Sequence, residues 1–531
     1  MERWNGWGDA ETTMDLAAPG QKLLARYLGP GKPRPDYPQA NFLKRVPKSR
    51  LPRHPLISDD PRLRLKLAHG QSLPDWIDLR AGTLQRFPDG VALPTTTGDI
   101  VALLKLAAKH NLIVIPYGGG TSVVGHLKVP DDDRPALSLS LQGLNRLTDL
   151  SPTNRLATFE AGVRGVVLEA QLRTRGFTLG HYPQSFEFST LGGWVVTRSS
   201  GQQSAYYGRI EKLFAGGELV TPRNQIKLPP FPASAAGPDL RQIVLGSEGR
   251  LGILSKAIVR ISPLPEQDDV HGLFFPSWEN AREAVRTIAG NGLHVAMIRL
   301  SNPTETQTNL ALAGNARKVG MLKAYLRLRR IPADTACMCL IGFIGSKKQV
   351  ACVKGEVLST CRDFRGVNTG KAMGEAWKVN RFQAPYLRNT LWDSGYAVDT
   401  IETAVTWDRV TETMNQMETA VRTSLAPWNE KVHVFSHLSH VYTSGSSIYT
   451  TFVWRLAEDH RTMMKQWHTI KQAASQVIVN AGGTISHQHG VGLDHRPYLE
   501  AEKGATGVGA LKALFTHLDP DQRMNPTKLL P

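Results

Sequence analysis

Behind a run of threonines near position 96 the chain takes up a helical period. In TTTGDIVALLKLAAKHN the apolar residues Ile100, Leu103, Leu104 and Ala107 share one face of a 3.6-residue turn, and Thr96 and Asp99 stand ahead of them in capping-box spacing. Asn111 fits a helix stop. The next segment, LIVIPYGGGTS, changes period: the β-branched run Leu112 to Ile115 predicts a buried strand running straight into glycine. Strands alternate with turns as far as GILSKAIVRISPLP, where Pro263 and Pro265 predict a boundary. Longer helical periods and aromatics follow. NAREAVRTIAGNG and RTMMKQWHTIKQAASQVIVNAGG both predict amphipathic helices closed by glycine. The chain then returns to a glycine loop, one helix and the ending LDPDQRMNPTKLL.

This pattern divides the chain into residues 1–83, an arm rich in proline and arginine with short helices; 84–265, an α/β domain; 266–480, an α+β domain; and 481–531, a closing segment. A length of 531 residues is ample for more than one core, and 41% hydrophobic with 21% charged residues is ordinary for a soluble protein. No apolar run approaches the ~18 residues of a membrane span. The start MERWNGWGDAE has no apolar signal core, so a cytoplasmic location is expected. Cys337, Cys339, Cys352 and Cys361 match no zinc pattern and suit a reducing compartment.

Charge changes the picture. Sixty-three basic against 46 acidic residues give +17, which favours anionic partners. With no zinc finger, RNP-like segment or basic heptad region, nucleic acid is not expected. The densest basic stretch, KAYLRLRRI from Lys323 to Ile331, reads as a solvated helix face or as a surface that leans on lipid headgroups.

The candidate chemistry begins in PYGGGTS, formed by Pro116, Tyr117, Gly118, Gly119, Gly120, Thr121 and Ser122. Successive amides without side chains can wrap a phosphate or pyrophosphate. It is neither a Walker loop nor GxGxxG, because no Lys-Ser or Lys-Thr follows and the helix precedes the strand. Alone, it could equally be a tight turn. Two further glycine-rich stretches follow, GHYPQSFEFSTLGGWVVTRSSG and LGSEGRLGILSKA. Near the end, TISHQHGVGL places His487 and His489 on one face of an extended chain. The spacing leaves open metal ligands, a proton-transfer pair, or core histidines.

In their order and spacing the three glycine-rich segments resemble the flavin-binding domain of the vanillyl-alcohol oxidase/PCMH superfamily. The resemblance implies a PCMH-type, two-subdomain FAD-binding domain, split in sequence, with an inserted α+β cap. It places the FAD pyrophosphate on the first loop. Gln184, Ser185, Phe186, Glu187, Phe188, Ser189, Thr190, Thr197, Arg198, Ser199 and Ser200 would follow the ribityl chain and ring system, together with Glu248, Gly249, Arg250, Leu251, Gly252, Ile253 and Leu254. The first loop has no histidine or cysteine, so the FAD is expected to be non-covalent.

The likeness narrows. WNGWG, PYGGGTS, EFSTLGGWVVTRSSG, IRLSN, YLRN, DTIETAVTWDRV, SGSSIY and HQHGVG occur in the order seen in alkyldihydroxyacetonephosphate synthases. These enzymes replace the acyl chain of acyl-dihydroxyacetone phosphate with a fatty alcohol, through an adduct on flavin N5 and without net oxidation. By this resemblance Tyr449 is the acid/base group. Arg388 lies near the flavin, where it would lower the phenol's pKa and attract anionic substrate. Arg299 supports the site, His181 lies beside the flavin, and His487 and His489 are the outer members of a His-His-His segment. Here Gln488 takes the middle place, Tyr182 and Gln184 replace acidic residues, and Arg250 replaces threonine. The family also implies a homodimer, and acyl substrates imply peripheral membrane contact.

Two alternatives stay open. The first is an FAD-dependent 2-hydroxy-acid dehydrogenase or oxidase of the same superfamily, whose metal-binding members use histidines of a GHVGDGNLH-type segment and a glutamate. Here His440 keeps the first histidine, but Tyr449 and Gln488 stand at the other positions, so no metal is expected. The second is a non-catalytic flavoprotein scaffold, against which Tyr449, Arg388 and His489 argue.

Overall fold

A computed structural model describes residues 2–531. The helix Thr97–Lys109 carries the expected capping box and buries Ile100, Leu103, Leu104 and Ala107. It leads into a small sheet in which Gly90–Ala92, Ala136–Ser140 and Ile113–Tyr117 run parallel, with Ile57–Ser58 antiparallel at the far edge. The strand begins one residue later than expected and continues to Tyr117. Pro116 is tolerated because this strand is at the sheet's edge, where a missing N–H breaks no ladder. The end of the chain closes that edge: Val114 N–H donates to Arg523 O at 2.8 Å, and Asn525 N–H donates to Val114 O at 2.8 Å. The end of the chain thus returns to the first sheet.

A second, antiparallel sheet is ordered Leu147–Ser151, Leu156–Glu160, Ile253–Arg260, Phe214–Val220 and Gln225–Leu228. A third sheet is larger and also antiparallel. Its order is Val367–Asn368, Gln267–Phe275, Cys337–Gly345, Met297–Ser301, His433–Leu438, Gly445–Arg455, Tyr396–Thr406. Helices Trp278–Gly290, Lys347–Asp363, Val410–Thr423 and His460–Asn480 supply its core partners, among them Ile288, Val357, Met417 and Ile470. Together the sheets give the expected PCMH-type α/β domain with an α+β cap.

The N-terminal segment is more than an irregular arm. It carries the helices Ala18–Leu28, Gln39–Arg45, Pro61–Lys66 and Leu73–Arg80, and it buries Trp7, Phe42 and Trp76. Aromatics of this size remove about 150–250 Å² each from water, so the segment belongs to the core. Trp7 is clamped by Asn389, whose side chain accepts from Trp7 N–H at 3.0 Å and donates to Trp7 O at 3.0 Å.

The basic stretch falls in and just beyond the helix Ala316–Leu328, which buries only Leu326 fully. Met321 and Leu328 are 74% and 80% exposed, and Tyr325 is also exposed. Among the described residues no helix is long and apolar enough to cross a membrane. All four cysteines are free, and only Cys352 is exposed.

Candidate active site

The first two glycine-rich segments touch through backbone. A Cβ on Gly119 would run into Phe188 O, and one on Gly118 would come within 2.5 Å of Thr190 Oγ1. Gly120 has φ +73°, a left-handed backbone that favours glycine. Thr190 caps the helix Leu191–Thr197, accepting from Gly193 N–H at 3.3 Å. Trp7 stands edge-on over Phe188 at 5.7 Å, so the N-terminal segment walls this cradle.

The third segment is joined to the histidine loop by Glu248, whose carboxylate accepts N–H from Val491 at 2.6 Å and Gly492 at 2.9 Å. Four of the expected cofactor contacts are turned elsewhere. Arg250 donates to Met524 O at 2.9 Å and lies over the Phe515 ring, while Leu251, Ile253 and Leu254 pack into cores. Only their backbone can face a cofactor. Gln184 donates to Arg381 O at 2.6 Å, Phe186 stacks on Phe382, and Arg198 donates to Leu245 O at 3.3 Å. Burial raises the Glu187 carboxyl above its usual range.

Several buried polar atoms have no protein partner: Ser200 Oγ, His181 Nδ1, His487 Nδ1, Gln488 Oε1, and Arg388 Nε and Nη2. Buried polar atoms in folded proteins are normally paired. With the glycine cradle, this set of donors and acceptors fits a large polar group such as FAD.

The cap sheet builds the reactive row. Strand pairing sets Glu402 opposite Tyr449 and Tyr449 opposite His437, so the three share a face. The Tyr449 hydroxyl donates to Thr400 Oγ1 at 3.2 Å. Its ring stacks on His437 (5.0 Å, 23°) and meets His489 edge-on (5.6 Å, 80°). The expected lowering of its pKa is corrected here. Burial pushes the phenol up; Thr400 and Arg299 pull the other way, Glu402 and Asp399 reinforce the rise, and burial prevails.

Arg299 acts one layer back. It donates to Glu305 Oε1 at 2.7 Å, and His437 Nδ1 lies 2.9 Å from the same oxygen. Burial alone would raise Glu305, but His437 and Arg299 hold it at about 2. Arg388 lies across Trp76 at 4.1 Å and donates through Nη1 to Gln71 O at 2.5 Å, which leaves its other two donors unused. Burial lowers it to about 10, so it remains a cation at neutral pH.

The two histidines of the loop have different surroundings. Glu402 accepts backbone N–H from Gln488 at 2.6 Å and His489 at 2.7 Å, and it lies 3.5 Å from His489 Nδ1. His487 Nε2 lies 2.8 Å from Arg209 Nη1 and 2.6 Å from the Tyr442 hydroxyl. The His440 ring is 4.9 Å from His487, with its nitrogens at Ser439 Oγ (3.0 Å) and Gly201 O (3.1 Å). His181 Nε2 meets Ser199 Oγ at 3.2 Å, and burial lowers that ring to about 3. Among the described residues no group of three or more His, Cys, Asp or Glu side chains could hold a metal ion.

Five residues of this site escaped the sequence pattern: Arg209, Glu305, Glu402, His437 and Tyr442. Glu402 stands inside DTIETAVTWDRV and Tyr442 inside SHVYTSGSSIY, where an acid or a phenol among β-formers is a usable signal. Arg209, Glu305 and His437 gain their meaning only from pairing across the fold.

The fold and this cradle define an FAD-binding protein of the FAD-linked oxidase type. Residues 88–227 match the FAD binding domain, and residues 264–529 match the C-terminal domain of FAD linked oxidases. The chain belongs to the alkyldihydroxyacetonephosphate synthase family. It is 32% identical to alkyldihydroxyacetonephosphate synthase of Dictyostelium discoideum, over 100% of this chain and 93% of that one. A solved alkyldihydroxyacetonephosphate synthase superposes with a TM-score of 0.85 at 28% identity, over 99% of both chains. p-Cresol methylhydroxylase shares the fold, with a TM-score of 0.70 at 14% identity over 92% of this chain and 96% of that one.

Proposed function

We propose that the chain exchanges the acyl chain of an acyl-dihydroxyacetone phosphate for a fatty alcohol, releasing a carboxylate and forming an ether. The observation that carries this reading is the half-buried Tyr449 of the cap sheet, bracketed by His437 and by His489 of the histidine loop, in a chain that a synthase matches end to end. Bound FAD would supply a ring that can take up and return an electron pair, so that the transfer ends with no net oxidation.

The protein's own groups do the rest. Tyr449 is protonated in the resting site because burial raises its pKa. To take a proton from the carbon beside the ketone it must ionise, and Arg299 supplies a stabilising cation. The two unused donors of Arg388 suit an anionic oxygen of phosphate or carboxylate. His489, oriented through the Glu402 carboxylate, is the second group positioned to move a proton. Pro116 to Ser122 hold the pyrophosphate of FAD. Gln184 to Thr190 and Thr197 to Ser200, with the backbone of Glu248 to Leu254, line the remainder of the cofactor.

Oxidation of a 2-hydroxy acid with a metal is less well served. Both nitrogens of His440 already face protein oxygens, and a phenol and an amide stand where imidazole and carboxylate would be needed.

The substrates partition into membranes, and the helix Ala316–Leu328 offers a surface for contact. Met321, Tyr325 and Leu328 are exposed among Lys318, Lys323, Arg327, Arg329 and Arg330.

The test uses purified protein, palmitoyl-dihydroxyacetone phosphate and labelled hexadecanol. Label in an ether lipid is the expected result. Its absence from FAD-loaded protein would refute the transferase reading.

A further inference from the structure

Arg209 lies in neither the second glycine-rich segment nor the histidine loop, yet it joins them. Its Nε faces Glu211 at 2.8 Å. Nη2 donates to Arg198 O at 3.1 Å and to His487 O at 2.8 Å. Nη1 lies 2.8 Å from His487 Nε2 and 3.3 Å from the Tyr442 hydroxyl, which is itself 2.6 Å from that nitrogen.

These contacts fix where a proton can be. A guanidinium has donors and no acceptor, so its N–H at Nε2 requires that nitrogen to be bare. Tyr442 O–H then donates to Nε2 as well and accepts from Arg209. A neutral imidazole with a bare Nε2 carries its proton on Nδ1. The ring stays neutral chiefly because it is buried, and His440, Arg209 and His489 act in the same direction. Around it stand Arg209 and Glu211 from the start of the short helix Ile210–Leu213, His440 and Tyr442 from the cap hairpin, and His489 from its own loop, with Glu402 held to the adjoining backbone. His487 Nδ1 is buried and has no partner in the protein.

We propose that Arg209 is a positioning residue that fixes His487 in the Nδ1–H tautomer, so that this histidine meets a carbonyl or carboxylate oxygen of the substrate as a hydrogen-bond donor and does not serve as a base. The tautomer follows from the contacts of Arg209 alone. The donor role rests on the transferase reading of the pocket.

The experiment uses holoenzyme labelled with nitrogen-15 histidine, with the His487 signal assigned by its loss in His487→Asn. The expected wild-type signal is a protonated Nδ1 and a bare Nε2, unchanged between about pH 6 and 9. A protonated Nε2 at His487 would overturn the proposal outright. In Arg209→Met the proton redistributes to Nε2. An acid limb appears in kcat/KM as the ring regains basicity, and kcat/KM falls roughly 10²–10⁴-fold. Tyr442→Phe keeps the Arg209 contact, hence the tautomer, and loses less activity. An Arg209→Met enzyme with the wild-type tautomer and pH profile would contradict the positioning role. If Arg209→Met does not fold, the wild-type and Tyr442→Phe spectra still decide, because a tautomer that changes in Tyr442→Phe would assign the control to the phenol. The Nδ1–H signal in a protein without ether-forming activity would uphold the tautomer while removing the transferase reading, so the two failures are distinguishable.

Discussion

At the scale of the residue, the site depends on one phenol whose surroundings raise its pKa. The sequence names Tyr449 through the SGSSIY resemblance but says nothing of its neighbours. Strand pairing puts it between two histidine rings and opposite Glu402. Removing its hydroxyl leaves the stacking on His437 and takes away the proton together with one hydrogen bond to Thr400. Tyr449→Phe is therefore expected to retain FAD, read by its absorbance, and to lose roughly 10²–10⁴-fold in turnover. Wild-type turnover in that variant would take tyrosine out of the mechanism. A second residue makes a prediction about pH. Lys528 is buried with only neutral acceptors, Lys128 O at 2.7 Å and Pro526 O and Thr527 Oγ1 at 3.3 Å. Burial lowers it to about 7, with the nearby Arg250 acting in the same direction. Between that value and the unfolded value of about 10.4, the unfolded chain holds a proton that the folded chain does not, so this group's contribution to stability rises with pH. Urea unfolding should show the wild type gaining on Lys528→Met from pH 7 to about pH 10. A constant difference would mean that Lys528 is not perturbed.

At the scale of the element, legibility followed locality. The helix Thr97–Lys109 could be read because its cap, period and stop lie within one short stretch. The glycine loop could be read only in company: alone it could equally be a tight turn, and two further glycine-rich segments follow it in order. The burial of Arg250 against Phe515 and Met524 could not, since it depends on the chain's end returning to the first sheet. The Arg299–Glu305–His437 set was hidden for a similar reason: its parts come from a strand, the following helix and a distant strand. The loop gives the sharpest prediction at this scale. A methyl on Gly119 would collide with Phe188 O, which is backbone and cannot step aside. Gly119→Ala should fold with lowered FAD content, and full occupancy in that variant would mean that the close approach is not needed.

At the scale of the whole molecule, the N-terminal segment packs against the glycine cradle and the cap, and the basic, apolar-studded helix Ala316–Leu328 lies on the surface. The protein is expected to float with anionic liposomes and to do so less at high salt. Replacing Met321, Tyr325 and Leu328 with glutamine should weaken flotation while sparing exchange with detergent-dispersed substrate. Equal flotation of the two proteins would move the contact elsewhere. The net charge of +17 could be read from composition, but which face carries the apolar residues could not, because that depends on how Leu322 and Leu326 dock.

The central claim is that this pocket transfers a group without net oxidation. An anaerobic reaction tests it directly, with palmitoyl-dihydroxyacetone phosphate and labelled hexadecanol in the cuvette and the flavin spectrum recorded throughout. The account predicts ether and palmitate in equal amounts and the same flavin spectrum at the end as at the start. No ether, with a flavin that bleaches stoichiometrically when a 2-hydroxy acid is added, would contradict it.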